Sequence, residues 1–199
     1  MMQYPVMEHF YTIQGEGVHA GRAAYFVRLA GCDVGCVWCD VKESWPTEGF
    51  ATHTATEICD WVYQTPAEIV VITGGEPAMY DCAEILDALH QKGYKVHVET
   101  SAAYPLRGGY DWVCISPKKF KQPVIEEMQR ANELKVIVFN DSDFKWAEQW
   151  AETCNDTCAL LLQSEWEKRD VMMPKMIQFV KDNPRWRICI QTHKIINVP

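Results

Sequence analysis

Long apolar runs are missing from this chain, and none of its 199 residues belongs to a stretch of bilayer-spanning length. A basic region followed by an apolar core is missing from Met-Met-Gln-Tyr-Pro-Val-Met-Glu-His, so no signal peptide is read there. Positive charge is also short. Lys and Arg total 19 against 27 Asp and Glu, a net charge of −8. That balance argues against a broad electrostatic grip on nucleic acid or an anionic membrane, and leaves small molecules or proteins as partners. Repeats, low-complexity tracts and linkers are absent, which reads residues 1–199 as a single domain. A hydrophobic content of 48% excludes a disordered chain. Cysteine is plentiful: nine without a secretion signal point to a reducing compartment where thiols bind metal or stay free, with cytoplasm as the expected location.

Three of those cysteines crowd into Gly31-Cys-Asp-Val-Gly-Cys-Val-Trp-Cys-Asp40. Four thiolates close a zinc or iron–sulfur site, whereas Cys32, Cys36 and Cys39 leave one metal position open for chemistry. The spacing also allows a zinc knuckle short of one ligand. Cys59, Cys82, Cys114 and Cys189, with Cys154 and Cys158 four apart, read most simply as small apolar residues.

Short apolar runs alternate with helical patterns. Strands are expected at Ala24–Ala30, Glu68–Thr73, Tyr94–Thr100, Asp111–Ser116, Leu134–Phe139, Ala159–Gln163 and Trp186–Gln191, rich in Val, Ile and Leu as in strands covered on both faces. Helices are expected at Thr54–Gln64, opened by the capping box Thr54-Ala-Thr-Glu57, and at Asp81–Lys92, ending at Gly93. Others are expected near Pro123–Asn132, Ser142–Thr153 and Pro174–Asp182. Strand–helix alternation implies an α/β fold with a parallel sheet and right-handed crossovers. The chain is too short for a full eight-unit barrel, so a partial, open barrel of about six parallel strands is expected.

Active sites of such folds lie beyond the carboxyl ends of the strands. Those ends here read Cys32 to Asp40, Thr73-Gly-Gly-Glu-Pro77, Glu99-Thr-Ser101, Ser116-Pro-Lys118, Gln163-Ser-Glu165 and Gln191-Thr-His-Lys194. Gly74-Gly75 permits close backbone approach, either to a ligand or in a tight turn. Arg28, inside an apolar strand, needs a partner: an internal acid or a substrate carboxylate held by two parallel hydrogen bonds. The Gln14-Gly-Glu-Gly17 loop, read as preceding the first strand, could line a planar heterocycle.

These motifs, with the opening Gln-Tyr-Pro and Phe26-Val-Arg-Leu-Ala-Gly-Cys32, resemble the 7-carboxy-7-deazaguanine synthase family of radical S-adenosylmethionine (SAM) enzymes along the whole chain. The resemblance implies a [4Fe–4S] cluster on Cys32, Cys36 and Cys39, whose fourth iron is chelated by SAM. It implies conversion of 6-carboxy-5,6,7,8-tetrahydropterin to 7-carboxy-7-deazaguanine with loss of ammonia, on the route to queuosine. Carried over by position, Trp38, Cys39, Gly74, Gly75, Glu76, Ala102, Ser116, Pro117, Lys118, Gln163, Ser164, Glu165 and Trp166 would hold SAM, with the Glu76 side chain receiving its ammonium. Ile13, Gln14, Gly15, Glu16, Arg28, Thr100, His193 and the terminal carboxylate of Pro199 would hold the pterin. The family also implies Mg²⁺, a flavodoxin or ferredoxin as electron donor, and a homodimer. Asp40 is the candidate Mg²⁺ ligand, but Val41 stands where the family has a Mg²⁺-ligating Thr, and Ala102 stands where it has Gly. Two rival readings share the cysteines: a glycyl-radical activase, which would not need Arg28 or Gln191-Thr-His-Lys194, and a non-catalytic zinc module.

Overall fold

The computed structural model describes residues 2–199, so Met1, part of the N-terminal stretch read above, lies outside the described residues. All seven expected strands are present and run parallel: β2 (Ala23–Leu29), β4 (Ile69–Gly74), β5 (Lys95–Thr100), β6 (Trp112–Ile115), β7 (Glu133–Val138), β8 (Ala159–Ser164) and β9 (Trp186–Cys189). Two further strands were not expected, β1 (Tyr4–Ile13) and the two-residue β3 (Thr52–His53). The sheet order is β3-β1-β2-β4-β5-β6-β7-β8-β9, and its two ends do not meet, so the barrel is open.

β1 runs antiparallel to β2, and the Gln14–Gly17 loop is therefore the turn between two strands and does not precede the first. Pro5 and the polar Met-Glu-His segment break the apolar pattern of β1. Both are tolerated there, because Pro5 needs no amide proton to pair with the short β3 or to accept from the Ala30 amide, and the register shifts between Val6 and Glu8.

Helix α1 (Ala55–Tyr63) carries the expected capping box, with Thr54 and Glu57 bonded reciprocally. Helix α2 (Ala83–Gln91) starts two residues later than expected, with Asp81 Oδ1 accepting from the Ala83 amide at 3.1 Å. Pro123–Asn132 is not an α-helix; a six-residue 3₁₀ segment, Ile125–Arg130, takes its place. Arg130 ties that segment back by donating to the carbonyls of Leu106 and Gly108 at 2.6 and 2.8 Å. Helix α3 (Ser142–Ala151) matches its expectation, but Cys154 and Cys158 fall on the bend after it and not on one helical face. Helix α4 (Arg169–Asp182) begins before Pro174, which sits inside it. The carbonyl that Pro174 leaves unpaired belongs to exposed Asp170, where water can satisfy it. A short α5 (Thr192–Ile196) follows β9, where the sequence suggested a strand to Gln191.

The helices bury Ile58, Val62, Ile85, Leu86 and Leu89 against Val70, Ile72 and Val96 on one side of the sheet. Val98, Ile115, Leu134, Val136 and Leu162 form a second core with Trp150, Met172 and Met176. These apolar faces fix the strands, and their carboxyl ends open together onto one chamber. No helix of the described residues is long and apolar enough to cross a membrane.

Candidate active site

The chamber beyond the strand ends has a volume of about 580 Å³. Every site residue expected from the sequence lines it except Ala102 and Pro117. Ala102 is fully buried and Pro117 is buried too, so neither offers a surface to a ligand.

Cys32, Cys36 and Cys39 lie on the loop after β2, all three as free thiols lining the chamber. The loop is held by backbone bonds: Gly31 N to Ser44 O at 2.7 Å, Cys32 N to Trp45 O at 3.0 Å and Cys39 N to Cys36 O at 3.0 Å. Burial pushes the Cys36 thiol up to about 11, against the pull of the Lys118 ammonium, so metal loading there must displace a proton. The other six cysteines do not reach the chamber. Among the described residues no three His, Cys, Asp or Glu side chains converge on a point that could hold one metal ion. Three soft thiols spread around one wall, with no fourth protein ligand, suit a polynuclear cluster better than a single zinc ion.

The Gly74-Gly75-Glu76 strap packs directly on this loop. The Gly75 amide donates to Leu29 O at 2.9 Å and the Glu76 amide to Gly31 O at 2.8 Å. A Cβ on Gly75 would stand 2.2 Å from Gly31 O and 2.9 Å from Cys32 Cβ. Glu76 lines the chamber and is also held by donors of the protein itself. Its carboxylate is buried and accepts from Ala78 N at 2.9 Å, Ser101 N at 2.8 Å, and the hydroxyls of Thr100 and Ser101. It stitches the end of β4 to the end of β5, which leaves the strap's backbone to face a ligand.

Ala102 closes that stitch in a left-handed conformation, φ 54°. Such a backbone costs an L-residue about 1–2 kcal/mol, which a glycine would avoid at some cost in chain entropy. Ala102→Gly is expected to raise stability by about 1 kcal/mol, read as a shift in denaturant midpoint; an unchanged midpoint would show that the strain is relaxed elsewhere.

Arg28 lines the chamber from β2, in register with Thr73 at the end of β4. The internal acid is Glu8 on β1, which accepts from Arg28 Nε at 2.6 Å. The two terminal amino groups of the guanidinium have no partner among the described residues, so the fork remains available.

The chamber floor is a buried charge network whose cation is Lys135 on β7. Lys135 donates to Glu16 and, at 3.1 Å, to Glu99 Oε2. Gln14 Nε2 donates to Glu99 at 2.8 Å and Gln191 Nε2 to Glu16 at 2.9 Å. Burial alone would raise the Glu16 carboxyl, but the Lys135 ammonium and the two hydrogen bonds bring it down to about 2. Burial works against the Lys135 charge, yet the two carboxylates raise its pKa well above the ordinary value. Lys135 was not singled out from the sequence, and Glu99 only as part of the Glu99-Thr-Ser101 strand end. A charge inside the apolar run Leu134-Lys-Val-Ile-Val138 is the same signal that drew attention to Arg28.

The segment after β9 completes the floor. Thr192 donates to Gly15 O through its amide at 2.9 Å and its hydroxyl at 2.7 Å. His193 lies so close that a Cβ on Gly15 would meet its Nδ1 at 2.2 Å. Lys118, Trp38 and Phe120 flank the cysteine loop, with the Lys118 ammonium 5.7 Å from the Trp38 ring centre. Glu165 caps its own turn, accepting from the amides of Glu167 and Lys168 at 3.2 and 3.1 Å. Trp166 beside it is packed by the Arg169 guanidinium at 4.4 Å.

Comparison with known proteins agrees with this architecture. The family profile described as "Radical SAM superfamily" matches residues 27–138. A "7-carboxy-7-deazaguanine synthase" of Flavobacterium psychrophilum is 50% identical over 197 residues, covering 98% of this chain and 92% of the relative. One from Synechocystis sp. is 44% identical, covering 99% and 94%. The solved "Crystal structure of QueE from Escherichia coli" aligns with a TM-score of 0.86 at 30% identity, covering 96% of this chain and 95% of that one. The chain belongs to the radical SAM superfamily and, within it, to the 7-carboxy-7-deazaguanine synthase family.

Proposed function

We propose that this chain converts 6-carboxy-5,6,7,8-tetrahydropterin to 7-carboxy-7-deazaguanine with release of ammonia. The observation that carries the reading is a single chamber that joins the three-cysteine loop to the Gln14–Glu16, Arg28 and His193 wall. When bound, a [4Fe–4S] cluster with SAM would supply the radical chemistry that the reaction needs.

The chain's own part is placement and exclusion of water. Cys32, Cys36 and Cys39 hold the cluster, and the Gly74–Glu76 strap, Ser116, Lys118 and the Gln163–Trp166 turn hold SAM. Lys118 is fixed for that purpose by its bonds to Ser116 O and Oγ at 2.8 and 2.5 Å. The Gln14–Glu16 turn and the Lys135 network form a polar floor for the flat bicyclic ring. Arg28 takes the substrate carboxylate with its free amino groups. An acidic or flavin-bearing one-electron carrier of the flavodoxin or ferredoxin type supplies the electron, and the active form is a homodimer.

The test is anaerobic reconstitution followed by incubation with reductant, SAM and the pterin, and mass analysis of products. The expected result is 7-carboxy-7-deazaguanine, lost on replacing any one of the three cysteines. A brown protein that cleaves SAM but ignores the pterin would move the assignment to the glycyl-radical activase. Arg28→Ala is expected to raise KM for the pterin roughly a hundredfold, about 3 kcal/mol, and to leave SAM binding unchanged. Equal losses for both ligands would remove Arg28 from the substrate site.

A further inference from the structure

One cation at the chamber wall belongs to none of the networks above. Lys194, on α5, lines the chamber together with Asp40 and Val41. Its ammonium lies 3.0 Å from Asp40 Oδ2 and 5.0 Å from the Trp166 ring centre. Its side chain is 24% exposed, so the charge is partly withdrawn from water and held in place.

Asp40 and residue 41 are also where the family implies a Mg²⁺ ion, and the donor set here does not fit one. Mg²⁺ keeps several waters and is held by one or two oxygen side chains together with substrate oxygens. Val41 offers methyl groups. Asp40 is already paired with Lys194, and Glu165, on the adjoining turn, gives its carboxylate to two amides.

We infer that Lys194 supplies the positive charge at this wall, joining Arg28 in holding the substrate's carboxylate, and that the reaction is independent of Mg²⁺. An ammonium has three N–H donors. Asp40 takes one and the Trp166 face steadies the charge, which leaves donor capacity for an oxygen in the chamber. The inference rests on the substrate reading above, and its test is arranged to fail separately from it.

Reconstituted enzyme is stripped of divalent ions with EDTA and assayed with and without added MgCl₂. Mn²⁺ is titrated in parallel into the enzyme with SAM and pterin bound and the cluster oxidised, and the free-ion signal is followed by electron paramagnetic resonance. The expected results are equal turnover with and without Mg²⁺, and an undiminished free Mn²⁺ signal. Lys194→Met should raise KM for the pterin by about tenfold or more while SAM affinity is kept, and Lys194→Arg should restore most of the loss. Strong activation by Mg²⁺, stoichiometric Mn²⁺ binding, or an unchanged pterin KM in Lys194→Met would each overturn the inference; the last would make the Asp40 pair a mere latch. A wild-type enzyme that makes no deazaguanine under any condition would instead sink the substrate reading, with the Mn²⁺ titration still deciding the metal.

Discussion

Lys135→Met is expected to destabilise the protein by about 3–5 kcal/mol at neutral pH, because it strands two buried carboxylates without their cation. Methionine matches the lysine stem in size, so packing is kept and only charge is removed. Glu16 and Glu99 would then face each other across the chamber floor, supported by Gln14 and Gln191 alone. The sign of the pH dependence separates this account from simple misfit. In the wild type, the Lys135 ammonium holds the folded Glu16 carboxyl well below its unfolded value of 4.5. Its contribution is therefore present above pH 4.5 and lost as the pH falls below that value. In the variant, repulsion and burial raise the folded carboxyl above its unfolded value, so stability improves as the pH is lowered from 7 toward 5. Denaturant unfolding of both proteins at pH 7 and pH 5 reads the effect directly. A loss below 1 kcal/mol, on the order of a surface ion pair, with no reversal of slope, would count against the network.

Gly75→Ala should be strongly damaging to activity while leaving the sheet largely intact. The new methyl would sit 2.2 Å from Gly31 O and 2.6 Å from Gly31 C, both backbone atoms that have no rotamer to retreat into. The loop must move, and it carries Cys32. A displacement of about 1 Å in a positioned group costs on the order of a hundredfold in kcat/KM. The variant should show normal far-ultraviolet circular dichroism, reduced iron and sulfide after reconstitution, and turnover lower by that factor. Wild-type iron content together with wild-type turnover would mean the strap and the cysteine loop are not in the contact described.

The parallel strands were legible in the sequence because all but the edge strand β9 are largely buried on both faces, and burial writes a continuous apolar run. β1 was not, because it faces the chamber on one side and lies near the sheet edge on the other. Its Pro5, Glu8 and His9 obey those two local demands and hide the strand. The cysteine loop and Arg28 stood out as chemistry without structure. Lys135 did not, and Glu99 and Lys194 showed only as members of polar strand ends, since an isolated charge acquires meaning only from what the fold sets opposite it. Glu76 shows the reverse case, a motif residue whose side chain turns out to hold two strand ends together.

The bonds that seat the floor, Gln191 to Glu16 and Thr192 to Gly15, join residues 175 and 177 positions apart. Closing so long a loop is entropically slow to recover, whereas the strand–helix units between can form from near neighbours. The sheet is therefore able to assemble before the chamber has a floor. Acquisition of shape and acquisition of a usable pocket are separate events in the life of each molecule, and the second waits on a few hydrogen bonds between its two extremes.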